Sequence, residues 1–209
     1  MISLKMYINT FMSAILAGIW IGIGGTAYLS VDNKIIGASL FSVGLFTICI
    51  FKLPLYTGRV CDILSKDKYY AIHVLVTWFG NLVGTSVFAN LEKLTRSGLE
   101  LTKKATQICN IKLEDSIVSI FILSIFCNML IFLAVKGFSQ IDDNCKYIPI
   151  FIGVIVFILC GFEHCVANMY YFSIAGMWNK TSIIYLIVMT LGNAIGGVMM
   201  SKWINLKER

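Results

Sequence analysis

The chain has 209 residues, 58% of them hydrophobic and only 13% charged, with mean hydropathy +0.82. A soluble domain carries about 25% charged residues, and a core of this size cannot hide so much apolar surface, so the composition excludes a soluble protein and indicates an integral membrane one. The formal net charge of +6 is spread over the segments between apolar runs. No basic face of the kind a nucleic-acid site needs is visible.

A membrane-crossing helix needs roughly 20 apolar residues. Runs of that kind lie near residues 8–29, 35–51, 70–90, 115–136, 147–175 and 181–203, which predicts an all-α integral membrane protein of six transmembrane helices in a single domain, 1–209. The first run lacks a cleavage-like end and reads as a span rather than a removed leader. Placing both termini inside puts Lys5, Arg59, Lys66, Lys68 and the C-terminal basic residues on that side. The opposing set lies mostly on the long third loop, so the charge rule favours cytoplasmic termini by a small excess.

Two runs are abnormal. The second meets Lys52, Leu53, Pro54, Leu55, Tyr56, Thr57 and Gly58, then charge at Arg59 and Asp62. The fifth is interrupted at Cys160–Gly161 and carries Glu163 and His164 side by side in an apolar run. Broken backbone is tolerated at membrane depth only where it is buried in protein or lines a cavity. An ionisable pair there is a functional site by default. The second and fifth helices are therefore expected to be broken.

The halves echo each other. Gly80–Asn81 with Gly84 in the third run resembles Gly192–Asn193 with Gly196 in the sixth, each after a broken run. A repeat of three spans must be inverted, with halves near residues 8–90 and 115–203, and such repeats place a substrate path at the midplane. The same Gly-x-x-x-Gly spacing also serves plain helix packing, and the sequence leaves both readings open. The seven cysteines show no Cys-x-x-Cys pair and read as small apolar packing residues.

At this point the chain resembles the formate/nitrite transporter family over nearly its whole length. The match rests on Leu55–Tyr56–Thr57–Gly58, Gly80–Asn81, Cys127–Asn128, the stretch Gly161 to Met169 (GFEHCVANM), and Gly192–Asn193 with Gly196–Gly197. The resemblance implies an aquaporin-like protomer, a homopentamer with one pore per protomer, and no cofactor, metal or catalysis. It implies His164 at the pore centre opposite Thr57, with apolar constrictions from Phe41, Leu45, Leu55, Tyr56, Ile131 and Phe157. It also implies Lys112 as a charge guarding the outer vestibule, although an ordinary solvated loop lysine is the competing reading. Thr57 equally fits a simple helix cap. The residues depart from the family pattern in three ways: no amphipathic helix precedes the first run, through a short or a truncated start; Pro54 replaces an often acidic residue, with Lys52 nearby; and Arg59 follows Thr57–Gly58. The last two make the loop more cationic, closer to the hydrosulfide-conducting branch.

The expected function is a passive channel or transporter for small monovalent anions (formate, nitrite or hydrosulfide) in the plasma membrane, with the solute meeting His164 and Thr57 and crossing either as the anion paired with imidazolium or as the neutral acid, its proton taken from imidazole or from water. The second half-helix is expected to start near Gly58–Arg59, and Arg59 to act as a vestibule charge from inside. Glu163 is expected to accept hydrogen bonds that fix the second-span loop, with Asn81, Asn128, Asn168 and Asn193 holding unwound backbone. The alternative within transport is a neutral small-solute channel of aquaporin-like architecture, against which the cationic loop argues. A haem subunit would need paired axial histidines, and His73 near a helix end is a poor mate for His164. A hydrolase would need a pattern such as His-Glu-x-x-His, which is absent.

Overall fold

The computed structural model describes residues 4–141 and 144–207. They form α1 (Leu4–Leu29), α2 (Lys34–Ile50), α3 (Tyr56–Arg59), α4 (Lys68–Glu92), α5 (Gly98–Glu114), α6 (Ile117–Gln140), α7 (Ile148–Leu159), α8 (Cys165–Ala175) and α9 (Lys180–Lys207). Four of these, α1, α4, α6 and α9, are long and apolar enough to cross a membrane alone. The remaining two crossings are composite. α2 continues through α3, and α7 continues through α8, each after a break.

The two breaks share one backbone design. α2 ends at Phe51, and Lys52 turns left-handed at φ 53. The amide of Leu53 then donates to Ile48 O (2.9 Å) and that of Lys52 to Cys49 O (3.3 Å). α7 ends at Cys160, and Gly161 turns left-handed at φ 68. There Phe162 N donates to Phe157 O (2.9 Å) and Gly161 N to Ile158 O (3.1 Å). Both are Schellman ends, which satisfy the last carbonyls of a helix with the two amides that follow it. Pro54 then bars any continuation of α2. The chain restarts at Tyr56 and at Cys165, with Leu55 and His164 as the extended N-cap residues. The first restart is thus earlier than the expected Gly58–Arg59.

The long helices cross in matching pairs. A Cβ at Gly80 would lie 2.5 Å from Ala14 Cβ and 2.9 Å from Phe11 O, and one at Gly84 would strike Ile15 O. In the second half a Cβ at Gly192 would lie 2.6 Å from Ser124 Cβ and 2.7 Å from Phe121 O, and one at Gly196 would strike Ile125 O. Four glycines thus let α4 lie on α1, and α9 on α6, at backbone contact. The two halves thus repeat one pattern of break and glycine crossing, which fits an aquaporin-like fold.

Large apolar side chains face outward, for instance Leu75, Phe79 and Leu91 on α4 and Ile187, Leu191 and Met199 on α9. Such a belt suits lipid or a neighbouring subunit and makes the chain a multi-pass membrane protein. One element was not expected. The charged third loop contains α5, an amphipathic helix whose Leu101, Ala105 and Cys109 are buried while its polar face is exposed. Lys104 there bonds Asp32 at 2.9 Å and tethers α5 to the α1–α2 turn.

Candidate pore centre

His164 is the N-cap of α8, and its Nδ1 accepts the amide hydrogen of Ala167 at 3.1 Å. An acceptor nitrogen carries no proton, so the neutral ring holds its hydrogen on Nε2. That Nε2–H donates to Thr57 Oγ1 at 3.0 Å. The two broken crossings therefore meet side chain to side chain, with both residues buried. The imidazole stacks on Phe157 with ring centres 5.7 Å apart, and Phe157 meets the edge of Phe41 at 5.9 Å.

Asparagines hold both breaks. Asn81 accepts from Tyr56 N (2.9 Å) and donates to Pro54 O (3.1 Å) and Ala14 O (2.9 Å). Asn193 accepts from Cys165 N (2.9 Å) and donates to Glu163 O (2.8 Å) and Ser124 O (2.7 Å). Each closes the gap across its own break and ties it to the helix behind. Asn128 donates to Thr57 O (3.1 Å) and Asn193 O (2.7 Å), joining α3 to α9. Asn168 donates to Glu163 Oε2 (2.8 Å) and His164 O (3.0 Å). The Gly-x-x-x-Gly motifs thus do both things the sequence left open: their glycines pack, and the asparagine after each first glycine holds a break.

Glu163 does not support the second-span loop. Its carboxylate accepts from Asn168 and from Lys112 Nζ at 2.6 and 2.8 Å, so it braces α8 against α5. The reason is local. Glu163 precedes the N-cap of α8 on the side facing α5, while the first break lies across the imidazole. Lys112 is correspondingly no bare guard: it lines a cavity at the mouth, but its ammonium is spent on Glu163.

That cavity, of about 230 Å3, lies on the side away from the termini and is walled by Lys34, Lys112, Phe157, Glu163, His164 and Asn168, among others. A larger one, of about 820 Å3, opens on the side of the termini and includes Ile48, Lys52, Leu55, Gly58, Arg59 and Lys146. Thr57, Phe41, Leu45 and Ile131 line neither; they are buried between the two mouths. Tyr56 is turned elsewhere, since its hydroxyl donates to Thr190 O in α9 at 3.1 Å. It neighbours Thr57 on one helical turn, so the two cannot face the same way. Among the described residues no group of three His, Cys, Asp or Glu side chains is arranged to hold a metal ion.

The family model for formate/nitrite transporters matches residues 4–206. The chain belongs to that family. Among characterised members, it is 26% identical over 188 residues to the formate channel FocB of Escherichia coli, covering 78% of this chain and 65% of that one. It is 26% identical to the formate-nitrite transporter of Plasmodium falciparum, over 92% of this chain and 75% of that one. The nitrite transporter NirC of Salmonella typhimurium is 25% identical over 90% of this chain and 79% of its own. The chain therefore spans about two thirds of the length of FocB. A solved pentameric formate channel with formate bound superposes with a TM-score of 0.83, at 27% identity and 98% coverage of both chains.

In this formate/nitrite transporter family member the two mouths are unlike. Toward the termini, Lys52 and Arg59 are exposed and have no ion pair among the described residues. On the far side Lys112 is paired, and the exposed cation is Lys34, which sequence reasoning did not single out. Nothing in the sequence near Lys34 marked it, because the cavity it joins is made by α5. A buried acidic group was also missed: Glu92 accepts from Thr26 Oγ1 (2.6 Å) and Tyr170 Oη (2.7 Å), pinning α4 to α1 and α8.

Proposed function

We propose that the chain is a passive path for small monovalent anions such as formate, nitrite or hydrosulfide. It would work as a homopentamer with a path in each protomer, in the plasma membrane, with both termini cytoplasmic and Arg59 at the inner mouth. The relatives named above are formate and nitrite channels or transporters, and the charge distribution favours that orientation. The observation that carries the reading is the buried His164 Nε2–H to Thr57 Oγ1 contact at the meeting of two broken helices. It lies between two mouths that bear cations. Residues 1–209 would act as one channel domain.

The cations raise the local anion concentration by long-range attraction. Beyond them lie buried apolar side chains, Leu55, Leu45, Ile131, Phe41 and Phe157. A bare anion loses its hydration there at a cost of several kcal/mol, whereas the neutral conjugate acid pays far less. At the waist Nε2–H can donate to an entering anion, as can the Thr57 hydroxyl. The hydrogen bond from Ala167 N to Nδ1 argues against an imidazolium, because a proton on Nδ1 would face another donor. His164 thus serves as a hydrogen-bond donor, and the transported proton comes from water at one mouth and returns to water at the other. Flux of formate, nitrite and hydrosulfide into liposomes, set against an uncharged solute such as urea, tests this reading. Urea passing as fast as the acids would favour a neutral-solute channel instead.

A further inference from the structure

The two breaks have the same backbone but different side chains. Where the second has Gly161, the first has Lys52, and where the second has Asn168, the first has Arg59. The last pair is matched by the bonds Asn168 N to His164 O and Arg59 N to Leu55 O. Lys52 is the one described non-glycine residue with positive φ, at 53°. Glycine would take that conformation at no steric cost. A residue held in a sparsely populated conformation directs attention to function.

Lys52 and Arg59 both line a side pocket of about 270 Å3, between α1, α4 and the first break. Asn9, Thr10 and Ser13 of α1 and His73 and Thr77 of α4 complete its polar wall, and among the described residues no Asp or Glu borders it. The Thr10 hydroxyl donates to Met6 O at 2.9 Å, so its oxygen accepts from His73 Nδ1–H at 3.1 Å. The pocket shares Lys52, Leu53, Arg59 and Tyr70 with the large vestibule, but not Leu55 or Gly58, which lie on the way to Thr57. It is therefore a bay beside the path. Thr10 and Thr77 spend their hydroxyl hydrogens on the carbonyls of Met6 and His73, which leaves Lys52, Arg59, Asn9 and Ser13 as the donors of the bay. Two cations without acidic partners among the described residues, with an amide and a hydroxyl beside them, suit a polyatomic oxyanion with several acceptor oxygens.

We propose that this bay binds a phosphate-type oxyanion, free or as a lipid headgroup, and that its occupancy slows passage through the neighbouring vestibule. A bound anion there offsets the potential of the same Lys52 and Arg59 that draw solute to the mouth. The slowing rests on the anion-path reading above; the binding does not.

Calorimetric titration of the purified protein with inorganic phosphate, and separately with a short-chain phosphatidic acid, reads the binding directly. Saturable heat is expected with one or both, and which of them gives it assigns the source. The heat should fall at least tenfold in affinity in Lys52→Gly, a change that copies Gly161 and suits the backbone, and in Arg59→Gln. Formate flux in liposomes is then read as the ratio with and without phosphate at equal ionic strength. A slowing of about threefold is expected in the wild type, and a ratio near one in Lys52→Gly. No saturable heat with either probe, or heat that survives in both variants, overturns the site. Heat without any change in the flux ratio overturns the regulation. A protein that binds phosphate yet passes no formate would count against the anion path and leave the bay standing.

Discussion

Asn193 does for the second break what Asn81 does for the first. Each side-chain carbonyl takes the first helical amide after the break, and each side-chain amide bonds the carbonyl two residues earlier in the chain. Both are fully buried. Replacing Asn193 with leucine leaves Cys165 N and Glu163 O, both in the break, without these partners. Each orphaned buried group costs about 1–3 kcal/mol. Asn193→Leu is expected to lower thermal stability in detergent sharply, and Asn81→Leu by a similar amount. A shift in one with none in the other would break the equivalence of the halves.

The Glu163–Lys112 pair is a second target. The carboxylate is 4% exposed and the ammonium side chain 14%. Removing one partner of a buried pair costs about 3–5 kcal/mol, whereas replacing both with apolar groups can be close to neutral. Lys112→Met should therefore destabilise more than the double variant Lys112→Met/Glu163→Leu recovers to. Thermal unfolding of the two variants beside the wild type measures the difference.

Two glycines should fail for different reasons. Gly161 has open space around a would-be Cβ but a φ of 68°. Gly161→Ala is expected to cost about 1–2 kcal/mol, the penalty of a left-handed residue. At Gly196 a Cβ would meet the backbone oxygen of Ile125, so Gly196→Ala should separate α9 from α6 and cost more. Yield of folded protein and thermal midpoint distinguish them.

The exposed cations predict a salt effect. Arg59→Gln and Lys34→Gln should each lower flux severalfold at low ionic strength. The difference from wild type should shrink near 1 M salt, where the Debye length is about 3 Å. A loss independent of salt would mean that these side chains act by contact rather than by field.

Much of the fold was legible in the sequence because apolar length and broken runs are local signals. Pro54 and Gly161 mark the ends of α2 and α7, and the repeated Gly–Asn pairs mark the helices that hold the breaks. α5 escaped because its polar face makes it read as a loop. The partner of Glu163 escaped because Lys112 lies on that same unread helix. Tyr56 was assigned to a constriction by family likeness, but the phase of a four-residue helix is set by Asn81, which the sequence could not show. The tautomer of His164 needed the position of one backbone amide, that of Ala167.

The central claim is that solute passes between a neutral His164 and Thr57 as its conjugate acid. Formate uptake into liposomes, measured across external pH for the wild type and for His164→Asn, tests it most directly. The account predicts wild-type uptake that climbs as pH falls, following the fraction of formic acid, and a variant at least tenfold slower throughout. A variant matching the wild type in both rate and pH profile would contradict it.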